Sequence, residues 1–291
     1  MAEITAATVK ALRDQTGAGM MDCKRVLADA GGDLKKAVEL LRERGLAKAG
    51  KREGRATSEG AIALSLAGCA GGMVELGCET DFVARTDDFG ALAGGLAAAV
   101  AAEASIQGPQ ELLDSEVGGE KLAEKVKAAI AKLGENVVVK RTARLTVDGD
   151  GTVGGYVHAG GKLGVLVGLH TSATGPQVEA LAKDLAMHVA AADPSPVAIQ
   201  RDDVSADLLE SERKIYRKQA EQEGKPEKVI ERIVEGKINK FLAEVCLVDQ
   251  AFVKDPDRTV GDLLRAAGQE AGAAIEVTGF QRFKLGEAGE G

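Results

Sequence analysis

A set of four apolar residues occurs twice along this chain. Phe89, Leu92, Leu96 and Val100 are matched, each 89 residues further on, by Val178, Leu181, Leu185 and Val189. Steps of three and four residues put each set on one face of a helix. Two short apolar stretches precede each helix: residues 61–66 and 73–76 around the glycine-rich 68–72, then residues 153–157 and 163–169 around Gly160-Gly161. Apolar runs parted by glycines read as hairpins. Hairpin then helix therefore occurs twice. The fold class this predicts is α+β, with two small subdomains, each an antiparallel sheet covered by helix.

The copies differ where strand gives way to helix. The first carries Thr80-Asp81-Phe82-Val83; the second carries His170-Thr171-Ser172-Ala173-Thr174-Gly175, with neither acid nor aromatic. Thr80 or Asp81 can accept backbone N–H bonds as an N-cap. With Val83 and the anchors behind it, this predicts one helix running to about residue 102. Phe82 has two readings. In one, Asp81 caps the helix and Phe82 anchors its first turn in the core. In the other, the corner faces outward and Phe82 is an anchor for a partner's pocket. The chain has no Trp and only six Phe and two Tyr, so each ring counts. A corner needed only for the fold should recur in the second copy; its absence there favours the outward reading.

Ahead of this core, three short helices are expected. Ile4, Val9 and Leu12 line the first, and Gly17 and Gly19 end it, because glycine accepts left-handed cap geometry. Met20, Met21, Lys24, Val26 and Leu27 open the second, which stops at Gly31-Gly32; Asp33 caps the third, which carries Leu34, Ala37, Val38, Leu40 and Leu41. So small a core is marginal, so the unit reads as a docking module. Lys48, Lys51, Arg52 and Arg55 read as a basic linker, either solvated or facing an acidic partner. Residues 119–133 predict another helix, and 137–139 and 143–147 two more strands. Residues 203–245 form a charged helical hairpin broken at Gly224-Lys225-Pro226, with Gly at the stop and Pro at the restart. Its single narrow seam predicts an arm that projects from the body. Thr259 caps a helix over 260–266, residues 275–283 alternate as a strand joining the second sheet, and 286–291 read as a loose tail. The expected division is 1–46, the linker 47–60, the first core subdomain 61–148, the second from 149–200 and 246–285, and the arm 201–245.

Net charge is −8 and the pI about 5.2, which argues against binding driven by phosphate neutralisation. The N-terminus lacks a basic start followed by an apolar core, and no apolar run is long enough to span a bilayer. Cys23, Cys69, Cys78 and Cys246 form no C-x-x-C pair, so reduced thiols in the cytoplasm are expected. Cys69 and Cys78 could face each other across the first hairpin, but zinc needs four ligands and no His is near them in sequence. The three histidines, His158, His170 and His188, accompany no G-x-S-x-G elbow, and there is no phosphate-binding G-x-x-x-x-G-K-[ST]. His158, beside the Gly160-Gly161 turn, reads as an exposed loop residue or a partner contact, and His188 as structural. No cofactor and no metal are expected. A chain without a catalytic constellation reads as a binding or regulatory protein, not an enzyme. The alternative kept beside the reading below is a non-catalytic RNA-binding or adaptor protein built on the basic linker and the arm.

Three stretches stand in a telling order: Leu12-Arg13-Asp14-Gln15-Thr16-Gly17-Ala18-Gly19-Met20-Met21-Asp22-Cys23-Lys24; Glu75 through Arg85; and Gly224-Lys225-Pro226-Glu227-Lys228-Val229-Ile230-Glu231 with Val234-Glu235-Gly236. Together they resemble the bacterial elongation factor Ts family, the nucleotide exchange factors of elongation factor Tu, over essentially the whole chain. One departure is Gly77, where the family usually has Asn, a change expected to loosen the strand before the corner. The resemblance implies a ubiquitin-associated-like N-terminal domain, a duplicated core, a coiled-coil arm and a C-terminal module. It implies that Asp81 and Phe82, with Thr80 and Val83, insert into the GTPase domain of elongation factor Tu near its Mg2+ site and so release GDP. It makes Arg13, Met20, Met21 and Lys24 candidates for docking by the N-terminal domain, and His158 a candidate contact of the second subdomain. The implied partner is elongation factor Tu, GDP-bound and nucleotide-free. No membrane and no direct nucleic-acid contact are implied, and self-association through the arm stays open.

Overall fold

The structure, a computed structural model, describes residues 4–50, 52, 54–224 and 226–287, without the side chains of 46–49. The chain start, Lys51, the Lys48 side chain, Lys225 in the arm's turn and the tail beyond Glu287 lie outside the described residues.

Three helices open the chain: α1 (Ala6–Thr16), α2 (Met20–Asp29) and α3 (Leu34–Gly50). Thr5 caps α1 and Gly17 ends it at φ 65°, while Asp33 accepts the Lys35 and Lys36 N–H groups to start α3. Val9, Leu12, Cys23, Val26, Leu27 and Ala37 form their common core.

The first sheet begins with β1 (Glu59–Ala67) and β2 (Ala70–Cys78), antiparallel about Gly68-Cys69. Next come α4 (Asp81–Ala84) and α5 (Asp87–Ala102). Where one helix was expected there are two, because Thr86 takes up extended backbone and caps α5 by accepting the Phe89 N–H. Gly71 and Gly72, expected in the turn, belong to β2 instead. A Cβ on Gly72 would lie 2.2 Å from the Ala97 carbonyl oxygen, so glycine lets α5 lie directly on the strand. The copy continues with α6 (Pro109–Asp114), the ladder of β3 (Glu116–Val117) and β4 (Glu120–Lys121), α7 (Leu122–Leu133) and β5 (Val137–Thr146). β5 is one strand, not two; it pairs with β2 and bulges where the register passes from Glu75↔Arg141 to Leu76↔Val139.

The second copy has β6 (Gly151–Val157), β7 (Leu163–His170) and α8 (Pro176–Ala191). The arm follows as α9 (Ala206–Gln222) and α10 (Glu227–Val245), then the ladder of β8 (Ala251–Phe252) and β9 (Asp255–Thr259), α11 (Val260–Ala271) and β10 (Glu276–Lys284). The strand orders β1-β2-β5 and β10-β7-β6 put the last strand of each copy against the second strand of its hairpin. The repeat therefore runs further than the anchors suggested: hairpin, helix, two-stranded ladder, helix, third strand. The arm is an insertion, standing where the first copy has only the short α6. Its helices share a seam of Ala220, Ile230, Val234 and Ile238.

α5, α6 and α7 cover one face of the first sheet, with Val74, Leu76, Phe89, Leu96, Val100 and Val137 between them. α8 and α11 flank the second sheet's core of Val165, Val167, Leu169, Leu185 and Val189. Ile62, Met73, Val153, Leu166 and Phe283 fill a third core drawn from strands of both sheets. α3 packs along α7. The basic run is partly occupied by its own chain: Arg52 donates to the Ile130 carbonyl at 3.1 Å, and Arg55 pairs with Glu79 at 3.4 Å. Both arginines thus have acceptors within the chain, while Arg55 stays exposed.

Candidate functional site

β2 ends at Cys78 and the chain turns. Thr80, extended, caps α4 by accepting the Val83 N–H. Asp81 is not the cap; it sits in the first helical turn and pairs with Arg85 at 2.9 Å. Phe82 points into solvent and is 81% exposed, the most exposed large apolar side chain among the described residues. Val83 turns the other way, half-buried against the first core. The reading in which Phe82 anchors the core is therefore corrected: the ring faces outward.

A four-residue helix with no buried side chain cannot hold itself. Its support comes from the loop between α7 and β5. The Glu135 carboxylate accepts the Glu79 N–H at 3.1 Å, the Thr80 N–H at 2.9 Å and the Thr80 hydroxyl at 2.6 Å. In return Glu79 accepts the Asn136 N–H at 2.7 Å, and Asn136 donates through Nδ2 to the Arg55 carbonyl. The Asn136 N–H, with the Arg55 charge behind it, holds the Glu79 carboxyl below its ordinary value. Cys78 donates its thiol hydrogen to the Thr80 carbonyl at 3.1 Å. Burial, and then the Glu135 charge, push that thiol up to about 11. Residues 79–80 are thus fastened from both flanks, and Phe82 rides on a fixed bend.

Gly77 does not loosen the strand. The ladder runs through it, with Gly60 on one side and Val138 on the other. A Cβ there would lie 2.5 Å from Lys140 Cε; Lys140 fills that space and donates to the Thr57 carbonyl.

His158 opens the β6–β7 turn, exposed, its Nδ1 2.9 Å from the Tyr156 hydroxyl. That turn docks on β1: Gly161 accepts the Ile62 N–H, and Lys162 pairs with Glu59, the partner of Cys78 across the ladder. The structure thereby brings His158 and the Phe82 corner to the same end of the first hairpin. Arg13, Met20, Met21 and Lys24 are all exposed on α1 and α2. Met21, 64% exposed, is second only to Phe82. His188 is buried and hydrogen-bonded to Gln250, a structural residue as expected.

Cys69 and Cys78 do not face each other. One is in the hairpin turn and the other at the far end of β2, nine residues away, roughly 30 Å at the rise of a strand. Among the described residues no three His, Cys, Asp or Glu side chains gather as a metal site. Nor is any helix there long and apolar enough to cross a membrane.

Glu135 and Asn136, and the tie of Arg55 to Glu79, escaped the sequence reading because nothing near them in sequence points to residues 79–80. The only local sign is that Glu135 follows Gly134, the left-handed end of α7.

The profile of the family described as Elongation factor TS matches residues 79–287, so it starts on the residue before Thr80. The Elongation factor Ts of Clostridium botulinum (strain Alaska E43 / Type E3) is 45% identical over 287 residues, 98% of this chain and 93% of that protein. The chain belongs to the elongation factor Ts family. Elongation factor Ts of Clostridium acetobutylicum is 44% identical over 98% of the chain, and that of Rhizobium rhizogenes 44% over all of it and 95% of the relative. The three-helix unit, which the Elongation factor TS profile leaves out, is therefore covered by full-length likeness. Membership places the chain in translation elongation.

Proposed function

We propose that this chain is a guanine-nucleotide exchange factor for elongation factor Tu. It binds the GDP-bound GTPase, presses the corner of Thr80, Asp81, Phe82 and Val83 against the partner's Mg2+ and phosphate site, and so releases GDP and lets GTP enter. The observation that carries the reading is Phe82, an apolar ring in water on a bend held from both sides. A ring so placed gains by burial in a partner, and a fixed bend transmits that gain as displacement. Mg2+ tolerates little departure from octahedral geometry, and it bridges the phosphates in a P-loop site, so a small shift of the surrounding helices weakens both.

Burying one Phe ring supplies about 1.5–3 kcal/mol. Speeding release about ten-thousandfold needs about 5.5 kcal/mol. Other contacts must supply the difference. Arg13, Met20, Met21 and Lys24 on the three-helix docking unit, and His158 at the corner's end of the core, are the residues assigned to it. The two methionines suit the task, being apolar, adaptable and exposed. Coupling is reciprocal, so nucleotide weakens binding of the factor by the factor that it is itself weakened. Entry of GTP therefore expels the chain, which does no covalent chemistry. The activity belongs in the cytoplasm and needs neither membrane nor nucleic acid.

With GDP-loaded elongation factor Tu, the chain should accelerate GDP release by orders of magnitude and form a complex that excess GDP takes apart. Unaltered release, or a complex indifferent to GDP, contradicts the reading.

A further inference from the structure

The group that holds the corner lies outside it. We propose that Glu135 is a positioning residue for nucleotide exchange: it sets the direction in which Phe82 is presented without itself meeting the partner. The inference rests on the function proposed above for the corner.

Three observations carry it. Both carboxylate oxygens of Glu135 are committed to the corner, one to the Thr80 hydroxyl and the other to the N–H groups of Glu79 and Thr80. α4 has no fully buried residue, only Val83 and Ala84 half-buried against the first core, and these bonds fix its start. The repeat supplies the comparison. In both copies the helix before the third strand ends on a left-handed glycine, Gly134 and Gly272. The next residue is Glu135 in the first copy and Ala273 in the second. The second copy settles its own join locally: Thr171, buried, donates its N–H to the Asp150 carbonyl and accepts the Ala173 N–H. The repeated architecture therefore forms without such a clamp, and the clamp accompanies only the corner that carries an exposed aromatic ring.

Hydrogen-bond chemistry separates this role from plain stabilisation. Glu135→Ala leaves two N–H groups and a hydroxyl without their acceptor. Glu135→Gln keeps an acceptor for both N–H groups, and its amide can donate to the second acceptor site of Thr80 Oγ, so that only the hydroxyl hydrogen must find another acceptor. The charge is then dispensable, and the shape and acceptor are not.

The test measures release of a fluorescent GDP analogue from elongation factor Tu against concentration of the full chain, separating the saturating rate from the half-saturating concentration. Glu135→Ala should lower the saturating rate about tenfold. Its half-saturating concentration should move much less, and its thermal melt should stay cooperative. Glu135→Gln should restore most of the rate. Amide exchange by NMR should show faster exchange at Glu79 and Thr80 in Glu135→Ala, with α5 protected as before. A wild-type saturating rate in Glu135→Ala overturns the proposal. So does a Glu135→Gln chain as slow as Glu135→Ala, or loss of the cooperative melt, which would make Glu135 a residue of the fold. Phe82→Ala is measured alongside. If it too releases GDP at the wild-type rate, the function assigned to the corner has failed; if it is slow while Glu135→Ala is not, only the positioning role has failed.

Discussion

Gln250 decides how His188 is protonated. Its amide nitrogen donates to the Pro194 and Glu244 carbonyls, so its oxygen must accept from His188 Nε2. The Val253 N–H donates to Nδ1, which leaves that nitrogen no room for a proton. Burial accordingly lowers the pKa of His188 from its usual 6.5, opposed by the Gln250 bond. As pH falls below about 6.5, the unfolded chain takes up this proton before the folded chain does, so stability is lost on acidification. The melting temperature should drop between pH 7.5 and 5.5, and less steeply in His188→Gln; equal slopes would mean that His188 is not the group responsible. At this scale the sequence revealed positions better than partners. The isolation of Phe82 and its missing counterpart in the second copy were visible as letters. The Glu135 clamp was not, because a carboxylate some 55 residues from its acceptors leaves no periodic trace.

Elements were legible wherever a period or a cap announced them. Thr259, Asp33 and the glycines after α1 and α7 mark real boundaries, since each satisfies backbone groups locally. The break between α4 and α5 was missed because Thr80 and Thr86 can each cap a helix, and only the extended backbone at both shows that each does. Gly71 and Gly72 misled for the opposite reason: glycine serves close packing as well as turns. Gly154 repeats the device in the second copy, where a Cβ would lie 2.5 Å from that of Ala182. Gly72→Ala should therefore push α5 off β2 and destabilise the chain by about 1–3 kcal/mol, read from urea unfolding. Gly94→Ala, with open space around its Cβ, should not destabilise it. Equal stability of Gly72→Ala and the unaltered chain would contradict the packing described.

Across the whole molecule, one buried ion pair joins the first sheet to the C-terminal strand. Glu75, 1% exposed on β2, meets Arg141 of β5, whose guanidinium lies 4.3 Å over the Phe283 ring and donates to the Lys284 carbonyl. The sequence showed Glu75 only as one charge among apolar neighbours; its partners come from 66 to more than 200 residues away. Glu75→Ala, which strands Arg141, should cost about 3–5 kcal/mol in urea unfolding; a loss below about 1 kcal/mol would mean that the pair does not join the subdomains. The duplicated plan was readable because helix anchors keep their spacing, whereas the arm's place as an insertion emerged only from the strand order. On the function proposed above, the fold serves to present one ring to elongation factor Tu. Stopped-flow release of GDP from elongation factor Tu at saturating Phe82→Ala tests that directly. The ring is mostly in water at home, so the melt should be unchanged, while release slows about ten- to hundredfold. Release at the wild-type rate from a normally folded Phe82→Ala chain would contradict the account.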